Sequence, residues 1–280
     1  MPEDALEGSV MGIRQQLEAL SERCVSLCGK EGWLGIDGTP NYRLLYSSVD
    51  SFEQGSGFAI VGMNPAGGPR DAHPDHADRP FREPAYSAYL DDRWNAEAGA
   101  ARLQRVIQAI ATVLAGASAC EAMAAIEDPT PRPEERLSLE AMGVLRNTPS
   151  MNIIPFRASR LADVPLALRE RGEEIGWRLL CLARPRLRCI VTLANQVDGV
   201  PWRTILREGG QRRWPDYQET INKRLSRTYR EVQLVRGELA GTLVVGLPAI
   251  VRDKDRCDVT MRLLNVLHRR LQHHGIQGPH

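Results

Sequence analysis

The sequence predicts a single α/β domain of three layers, α/β/α, with a central, mainly parallel sheet of four or five strands. Short apolar runs without polar alternation, at residues 58–61 and 243–246, suit strands that are covered on both faces. Segments with helical periodicity separate such runs along the chain, and this alternation favours parallel strands. The length of 280 residues, with 42% hydrophobic and 25% charged residues, is ordinary for a globular domain.

The individual elements follow from periodicity and from turn residues. Apolar residues between 9 and 28 recur at steps of three and four, which predicts an amphipathic helix, and residues 1–50 are expected to form a helical extension packed on the domain. The other expected elements are an edge strand at 43–46, a strand at 58–61, a long polar loop at 69–84, a helix at 98–114, a strand at 150–156, a helix at 165–183, a strand at 189–195, helices at 202–207 and 217–229, strands at 231–236 and 243–246, and a helix at 259–273. Since we find no internal repeat and no linker, we treat residues 1–280 as one domain.

Composition narrows the possible locations and partners. No apolar run approaches the roughly 20 residues that a membrane-spanning helix needs, and no charged-then-apolar leader opens the chain. We therefore expect a cytoplasmic, monomeric protein without a membrane partner. The formal net charge of +1 does not by itself favour a nucleic-acid binder, so any such function depends on the local distribution of charge.

The cysteine and histidine residues do not predict a metal site. Only Cys24 and Cys28 of the six cysteines are close in sequence, and no second close pair completes a four-ligand site. His73 and His76 share a polar loop with several aspartates, and solvated loop residues explain this pattern better than a metal site does. We expect reduced structural cysteines, no metal and no cofactor.

Distinctive residues follow three of the predicted strands. The strand at 58–61 leads into Asn64-Pro65, the second ends near Asn152 and a Pro-Phe-Arg loop, and the late strand ends at Leu247-Pro248. Ligands of open α/β sheets bind outside the carboxyl ends of the strands, where these residues should converge. Asn64 is the first candidate functional residue, because Pro65 prevents the strand from continuing.

These motifs resemble the uracil-DNA glycosylase superfamily, and the resemblance extends from Phe58 to the final helix. The segment GMNPAGG is similar to the superfamily's water-activating motif, and its Asn form is most similar to the single-strand-selective and mismatch-specific branches. The resemblance implies an enzyme that hydrolyses the N-glycosidic bond of a flipped, damaged or modified base in DNA, such as uracil. None of the three lysines adjoins the Asn64 or Asn152 motifs, so we expect a monofunctional glycosylase without lyase activity.

The resemblance also implies a role for each matching residue. Asn64 would orient the attacking water, Asn152 would read the edge of the base, and Phe81 would stack on it. The base pocket would further include Gly62, Met63 and Leu247. Contacts with DNA would come from Arg157, Arg160, Pro248, Ile250, Val251, Arg252 and Lys254.

The late motif departs from the family pattern, and this keeps other readings open. Leu247 stands where the family has His or Asn, and Ala249 stands where it has Ser. One alternative is an anti-phage glycosylase that removes a bulky base such as glucosylated hydroxymethylcytosine. A second is a non-catalytic nucleic-acid-binding module of the same fold. A third, a Rossmann-like nucleotide-binding enzyme, is weakened because residues 62–65 lack the GxGxxG spacing.

Overall fold

The structure, a computed structural model, describes residues 11–63, 74–92, 100–127, 132–184, 187–193, 200–210, 216–223, 227–248 and 256–276. The helices are α1 (Ile13–Lys30), α2 (Asp50–Gln54), α3 (Pro74–Arg82), α4 (Ala88–Asp91), α5 (Ala100–Leu114), α6 (Ala119–Glu127), α7 (Pro133–Arg136), α8 (Leu139–Asn147), α9 (Leu166–Leu182), α10 (Val200–Gly209) and α11 (Arg256–His273). The strands are β1 (Phe58–Gly62), β2 (Ser150–Asn152), β3 (Cys189–Leu193), β4 (Tyr217–Asn222), β5 (Arg227–Gln233) and β6 (Leu243–Leu247).

The strands form one mixed, six-stranded sheet in the order β2-β1-β3-β6-β5-β4. The first four pair in parallel, whereas β5 pairs antiparallel with β6 and β4 antiparallel with β5. The α/β class is therefore confirmed, but the expected mainly parallel sheet of four or five strands is wrong, because an antiparallel hairpin extends it on one side.

The hairpin arises from a segment whose periodicity we misread. Residues 217–229 were expected to be helical, yet they form β4 and the start of β5. Tyr217, Glu219 and Ile221 alternate in β4 with Gln218 and Thr220, and this period of two is the pattern of a strand with differently covered faces. Their spacing is also compatible with a helix, because a segment this short does not distinguish a period of 2 from a period of 3.6.

Two apolar cores cover the two faces of the sheet. Phe58 and Ile60 of β1 point into the first core, which they share with residues of α5, α6, α8 and α11. Ala59 and Val61 point into the second core, which they share with residues of α1, α9 and α10. Helices therefore lie on both faces of the sheet, an arrangement compatible with a three-layer α/β/α fold.

Residues 74–82 form α3, where a loop was expected over 69–84. Pro74 is the first residue of the helix, where the missing N–H is tolerated, and Pro80 lies in its last turn. Ala77 and Phe81, four residues apart, both pack against the second core. The prolines that suggested a loop are thus compatible with a short helix held by its apolar side.

The remaining expectations differ mainly in their boundaries. The strand expected at 150–156 ends at Asn152. The segment at 43–46 forms isolated antiparallel bridges, among them Leu45 to Met151, instead of a full strand. The helix α1 contributes Leu17 and Cys24 to the second core, so this part of the N-terminal region packs directly on the sheet layer.

Candidate active site

Four parallel strands end at one side of the sheet, which we call the carboxyl edge: β1 at Gly62, β2 at Asn152, β3 at Leu193 and β6 at Leu247. The register pairs Gly62 with Asn152 and Leu193 with Leu247. The segments that follow three of these strands, 64–73, 194–199 and 249–255, lie outside the described residues. The carboxyl edge is the position where open α/β sheets bind ligands.

Gly62 and Asn152 are in direct contact at this edge. A Cβ atom placed on Gly62 would overlap Oδ1 of Asn152 and would lie 3.2 Å from its Cγ. Backbone bonds hold the two chains together beyond the strands, since Ile153 N donates to Gly62 O at 3.0 Å and Ile154 N donates to Met63 O at 3.0 Å. The absence of a side chain on Gly62 therefore leaves the space that the Asn152 amide occupies.

The Asn152 side chain is buried but keeps its hydrogen-bonding capacity. Only 7% of the residue is exposed. Among the described residues, no hydrogen-bond partner of its amide is found. A carboxamide offers two donor hydrogens and an acceptor oxygen, and a buried polar group of this kind is stabilised when a ligand or water pairs with it. Asn152 can thus recognise a planar group that presents a donor next to an acceptor.

Two glycines of α9 support the segment that follows Asn152. A Cβ on Gly176 would overlap the backbone of Ile153. A Cβ on Gly172, one helical turn earlier, would lie 3.1 Å from Ile154 Cγ2 and 3.3 Å from Pro155 Cδ. The backbone of α9 therefore packs directly on residues 153–155, without intervening side chains on the helix at these two positions.

A buried ionic cluster is attached to the same segment through the backbone of Arg43. The Asp92 cluster consists of Arg43, Arg79, Tyr86 and Asp92. Arg43 Nη2 donates to Asp92 Oδ2 at 2.7 Å and to the Tyr86 hydroxyl at 2.7 Å. Arg79 Nη1 and the Tyr86 hydroxyl donate to Asp92 Oδ1, at 2.7 and 2.8 Å. Both carboxylate oxygens are therefore occupied, which makes Asp92 an anchor and not a free general base.

The cluster connects α3 to the chain beside β2. Arg43 N donates to Pro155 O at 2.8 Å, three residues after Asn152, while Arg79 belongs to α3. The guanidinium of Arg79 also pairs with Glu83 at 2.8 Å, and it lies 4.6 Å from the centre of the Tyr86 ring. Burial raises the pKa of the Tyr86 phenol well above its ordinary value, so this hydroxyl stays protonated as a donor.

Among the other expected base-binding residues, Met63 lies beside the segment that follows Asn152, because its carbonyl accepts from Ile154 N at 3.0 Å, whereas Leu247 and Phe81 pack with the two apolar cores. Leu247 is 1% exposed and belongs to the first core, so its side chain faces away from solvent. Phe81, in α3, is partly exposed and packs against the second core. Met63 follows β1 directly and is partly exposed. Asn64, the expected water-orienting residue, lies outside the described residues.

The expected DNA contacts differ in their accessibility. Arg160 is on the surface and pairs with Asp163 at 3.4 Å. Arg157 is 93% buried, since only 7% of it is exposed, and its backbone N donates to Asn41 O at 3.1 Å. Pro248 is buried directly after β6. Ile250, Val251, Arg252 and Lys254 lie outside the described residues.

Sequence reasoning missed the members of the Asp92 cluster. Arg43, Tyr86 and Asp92 are separated by 43 and 6 residues along the chain, and no local spacing marks them as partners. The one available signal was the excess of arginine over lysine, because the planar guanidinium is suited to bridging buried carboxylates.

Within the described residues, no side chains are grouped so that they could hold a metal ion. The cysteines described there, Cys24 and Cys28 among them, are unbonded. None of the helices in this part of the chain has the length and apolar character needed to cross a bilayer. In comparisons with known proteins, no protein-family model and no curated protein matches this chain.

Proposed function

We propose that the protein is a monofunctional DNA glycosylase that hydrolyses the N-glycosidic bond of a flipped, damaged or modified base, with uracil or a related pyrimidine as the substrate class. The observation that carries the proposal is the buried Asn152 amide at the carboxyl edge, packed over Gly62 and without a partner among the described residues. The resemblance of the strand-end motifs, of which Asn152 is one, also supports it.

The chemistry of Asn152 fits a pyrimidine. The edge of uracil presents an N–H donor beside a carbonyl acceptor, and a carboxamide can pair with both at once. A base becomes accessible to such a buried group only when it leaves the duplex, at a cost of a few kcal/mol in lost stacking. A buried and preorganised amide is a means of offsetting part of this cost.

The Asn64 amide would complete the reaction. It cannot remove a proton effectively, but it can orient a water that attacks the sugar as the bond to the base breaks. Bond cleavage creates positive charge on the sugar and negative charge on the base, as in other oxocarbenium-like reactions. Asn152, which pairs with Gly62 at the end of β1, would stabilise the base oxygen by donating a hydrogen bond.

The test is base release from defined oligonucleotides. The protein is incubated with DNA that carries uracil, hypoxanthine, 5-hydroxymethyluracil or glucosylated hydroxymethylcytosine, and free bases are identified by mass spectrometry. We expect release of at least one pyrimidine, and a loss of about 100-fold in rate for Asn152→Ala. Asn64→Ala should lower the rate as well. Release of no base from any substrate would contradict the proposal.

Asn147→Ala is the matched control. Asn147 is the last residue of α8, and its carbonyl accepts a hydrogen bond from Ser56 N at 3.0 Å. Because Ser56 precedes β1, Asn147 lies at the amino-terminal end of the strands, away from the carboxyl edge and Asn152. Its variant should release bases at the wild-type rate. A protein–DNA adduct trapped by borohydride would show lyase chemistry and would contradict the monofunctional assignment.

A non-catalytic nucleic-acid-binding module remains the second candidate, and the position of Leu247 favours it. An apolar, buried residue stands where a group that stabilises the leaving base would be expected. The base-release assay separates the two candidates, because a module would bind DNA with unchanged affinity in the Asn64→Ala variant and would release nothing. Release of glucosylated hydroxymethylcytosine alone would instead indicate the anti-phage alternative.

A further inference from the structure

The hairpin formed by β4 and β5 has two chemically different faces. Alternation and the cross-strand register assign Tyr217, Glu219, Tyr229 and Glu231 to the face that packs towards α11, and Gln218, Thr220, Thr228 and Arg230 to the opposite face, which we call the open face. All carboxylates of the two strands therefore lie on the α11 side.

The α11 side of the hairpin is electrostatically compensated within the protein. Glu219 pairs with Arg269 at 2.9 Å. Glu231 accepts a hydrogen bond from Arg270 Nε at 3.0 Å and contacts His274 at 2.9 Å. These acids are consequently neutralised by α11 and the residue that follows it.

The open face carries hydrogen-bond donors and positive charge. Gln218 and Thr220 are exposed. Arg230 is partly exposed, and Lys223, directly after β4, is exposed. Neither cation has an ion-pair partner among the described residues, and the buried Nε of Arg230 has no hydrogen-bond partner there. Among the residues of β4 and β5 themselves, this face thus offers donors to an anion and carries no carboxylate.

The open face is close to the carboxyl edge. Since β5 runs antiparallel to β6 and Arg230 pairs with Gly246, the residues of β5 before Arg230 extend towards and past the end of β6 at Leu247. Gly246 pairs in turn with Thr192 of β3, so Arg230, Gly246 and Thr192 share one row and one face. Four strand spacings, or about 19 Å, separate β5 from β2 and Asn152.

We propose that the open face of the hairpin, with Arg230 and Lys223, binds the phosphodiester backbone of the DNA whose base enters the site at Asn152. This inference rests on the proposed function and adds a contact surface to it. A B-form strand carries one phosphate per 3.4 Å of axis, so about 19 Å corresponds to roughly five or six phosphates. A strand engaged at Asn152 is long enough to reach Arg230 within a short oligonucleotide.

The test measures the salt dependence of DNA binding by the full-length protein. The probe is a fluorescein-labelled 20-nucleotide single strand of unmodified DNA. Its binding is measured by fluorescence anisotropy at NaCl concentrations between 50 and 200 mM. We expect Arg230→Ala and Lys223→Ala each to weaken binding by about threefold and to lower the slope of log K against log salt by about 0.7. Arg230→Lys, which keeps the charge, should retain the wild-type slope.

Arg184→Ala is the matched control for loss of one positive charge. Arg184 pairs with Glu238 and lies just before β3 begins, at the side of the sheet opposite the carboxyl edge. Its variant should bind like the wild type. Thermal melting of all variants verifies that they are folded.

The outcomes separate the hairpin surface from the glycosylase assignment. If the wild type releases a base and the hairpin variants bind DNA with unchanged affinity and slope, the hairpin inference is overturned and the proposed function stands. If no base is released but Arg230→Ala and Lys223→Ala still reduce affinity and slope, the surface stands and the enzymatic assignment fails. If the wild type binds no DNA, both are overturned.

Discussion

The amide of Asn152 occupies the space beside Gly62 in which any other residue would place its Cβ atom. The Asn152 side chain of β2 therefore fills the space beside the last residue of β1. This relationship connects a backbone position to the candidate base-reading group and can be tested by a single added methyl group.

Gly62→Ala should disable the site while leaving the fold intact. The new methyl group would overlap Asn152 Oδ1 and displace the amide by about 1 Å, a shift that can cost roughly 100-fold in rate. The measurement is base release under single-turnover conditions, with thermal melting as the check on folding. Gly143→Ala is the control, because nothing lies within 4 Å of a Cβ there and it lies within α8. It should raise the free energy of unfolding by about 0.5–1 kcal/mol without changing activity.

Gly176→Ala should destabilise the contact between α9 and residues 153–155. A Cβ at Gly176 would overlap backbone atoms of Ile153, which cannot rotate away as a side chain can. Overpacking of this kind costs about 1–3 kcal/mol. Urea unfolding of the variant should show this decrease, whereas an unfolding free energy equal to that of the wild type would mean that α9 does not rest on this segment in solution.

Asp92→Asn should lower stability strongly. Removing the charge leaves Arg43, whose side chain is 4% exposed, without its buried carboxylate partner. Breaking a buried ion pair by removing one partner costs about 3–5 kcal/mol. Glu83→Gln is the matched control, because Glu83 also pairs with Arg79 but is 46% exposed, and an exposed pair contributes about 0–1 kcal/mol. Equal losses in the two variants would contradict the role of Asp92 as the anchor.

Glu231 should make stability depend on pH on the acid side. Burial raises the pKa of this carboxyl, but hydrogen bonds and charge from Arg270, together with His274 and Tyr229, outweigh burial and lower the pKa below its ordinary value. A folded-state pKa below the unfolded value of about 4.3 stabilises the native state above that pH. The contribution is lost as the pH falls through the folded-state pKa.

The measurement compares unfolding curves of the wild type and Glu231→Gln between neutral and acid pH. The stability difference between the two should shrink as the pH falls below about 4.3. Glu238→Gln serves as the control, since Glu238 is 61% exposed in its pair with Arg184. If the wild type and Glu231→Gln lost stability in parallel, the lowered pKa would not contribute to folding.

Short-range patterns predicted the parallel part of the fold well. The apolar run from Phe58 to Val61 and the break after it correspond to β1, and the periodicity around Leu179 corresponds to α9. The same patterns gave the wrong secondary structure where a short segment was compatible with two kinds of element. The alternation from Tyr217 to Asn222 was read as helical, and the prolines around Ala77 were read as a loop.

The site was predictable only in its backbone position. The strand-end rule predicted that the ends of the parallel strands would lie at one edge, and the register places Asn152 beside Gly62 there. The burial of Leu247 depends on which face of β6 meets the first core, and the pairing of Arg43 with Asp92 joins residues 49 positions apart. Both are set by long-range packing, which local periodicity does not encode.

The direct packing of α9 on residues 153–155 restricts the movement of the chain next to Asn152. Backbone against backbone leaves no rotatable side chain to absorb a displacement, so Asn152 rests on a hard support. We therefore expect Asn152 to keep its position when a ligand enters the site.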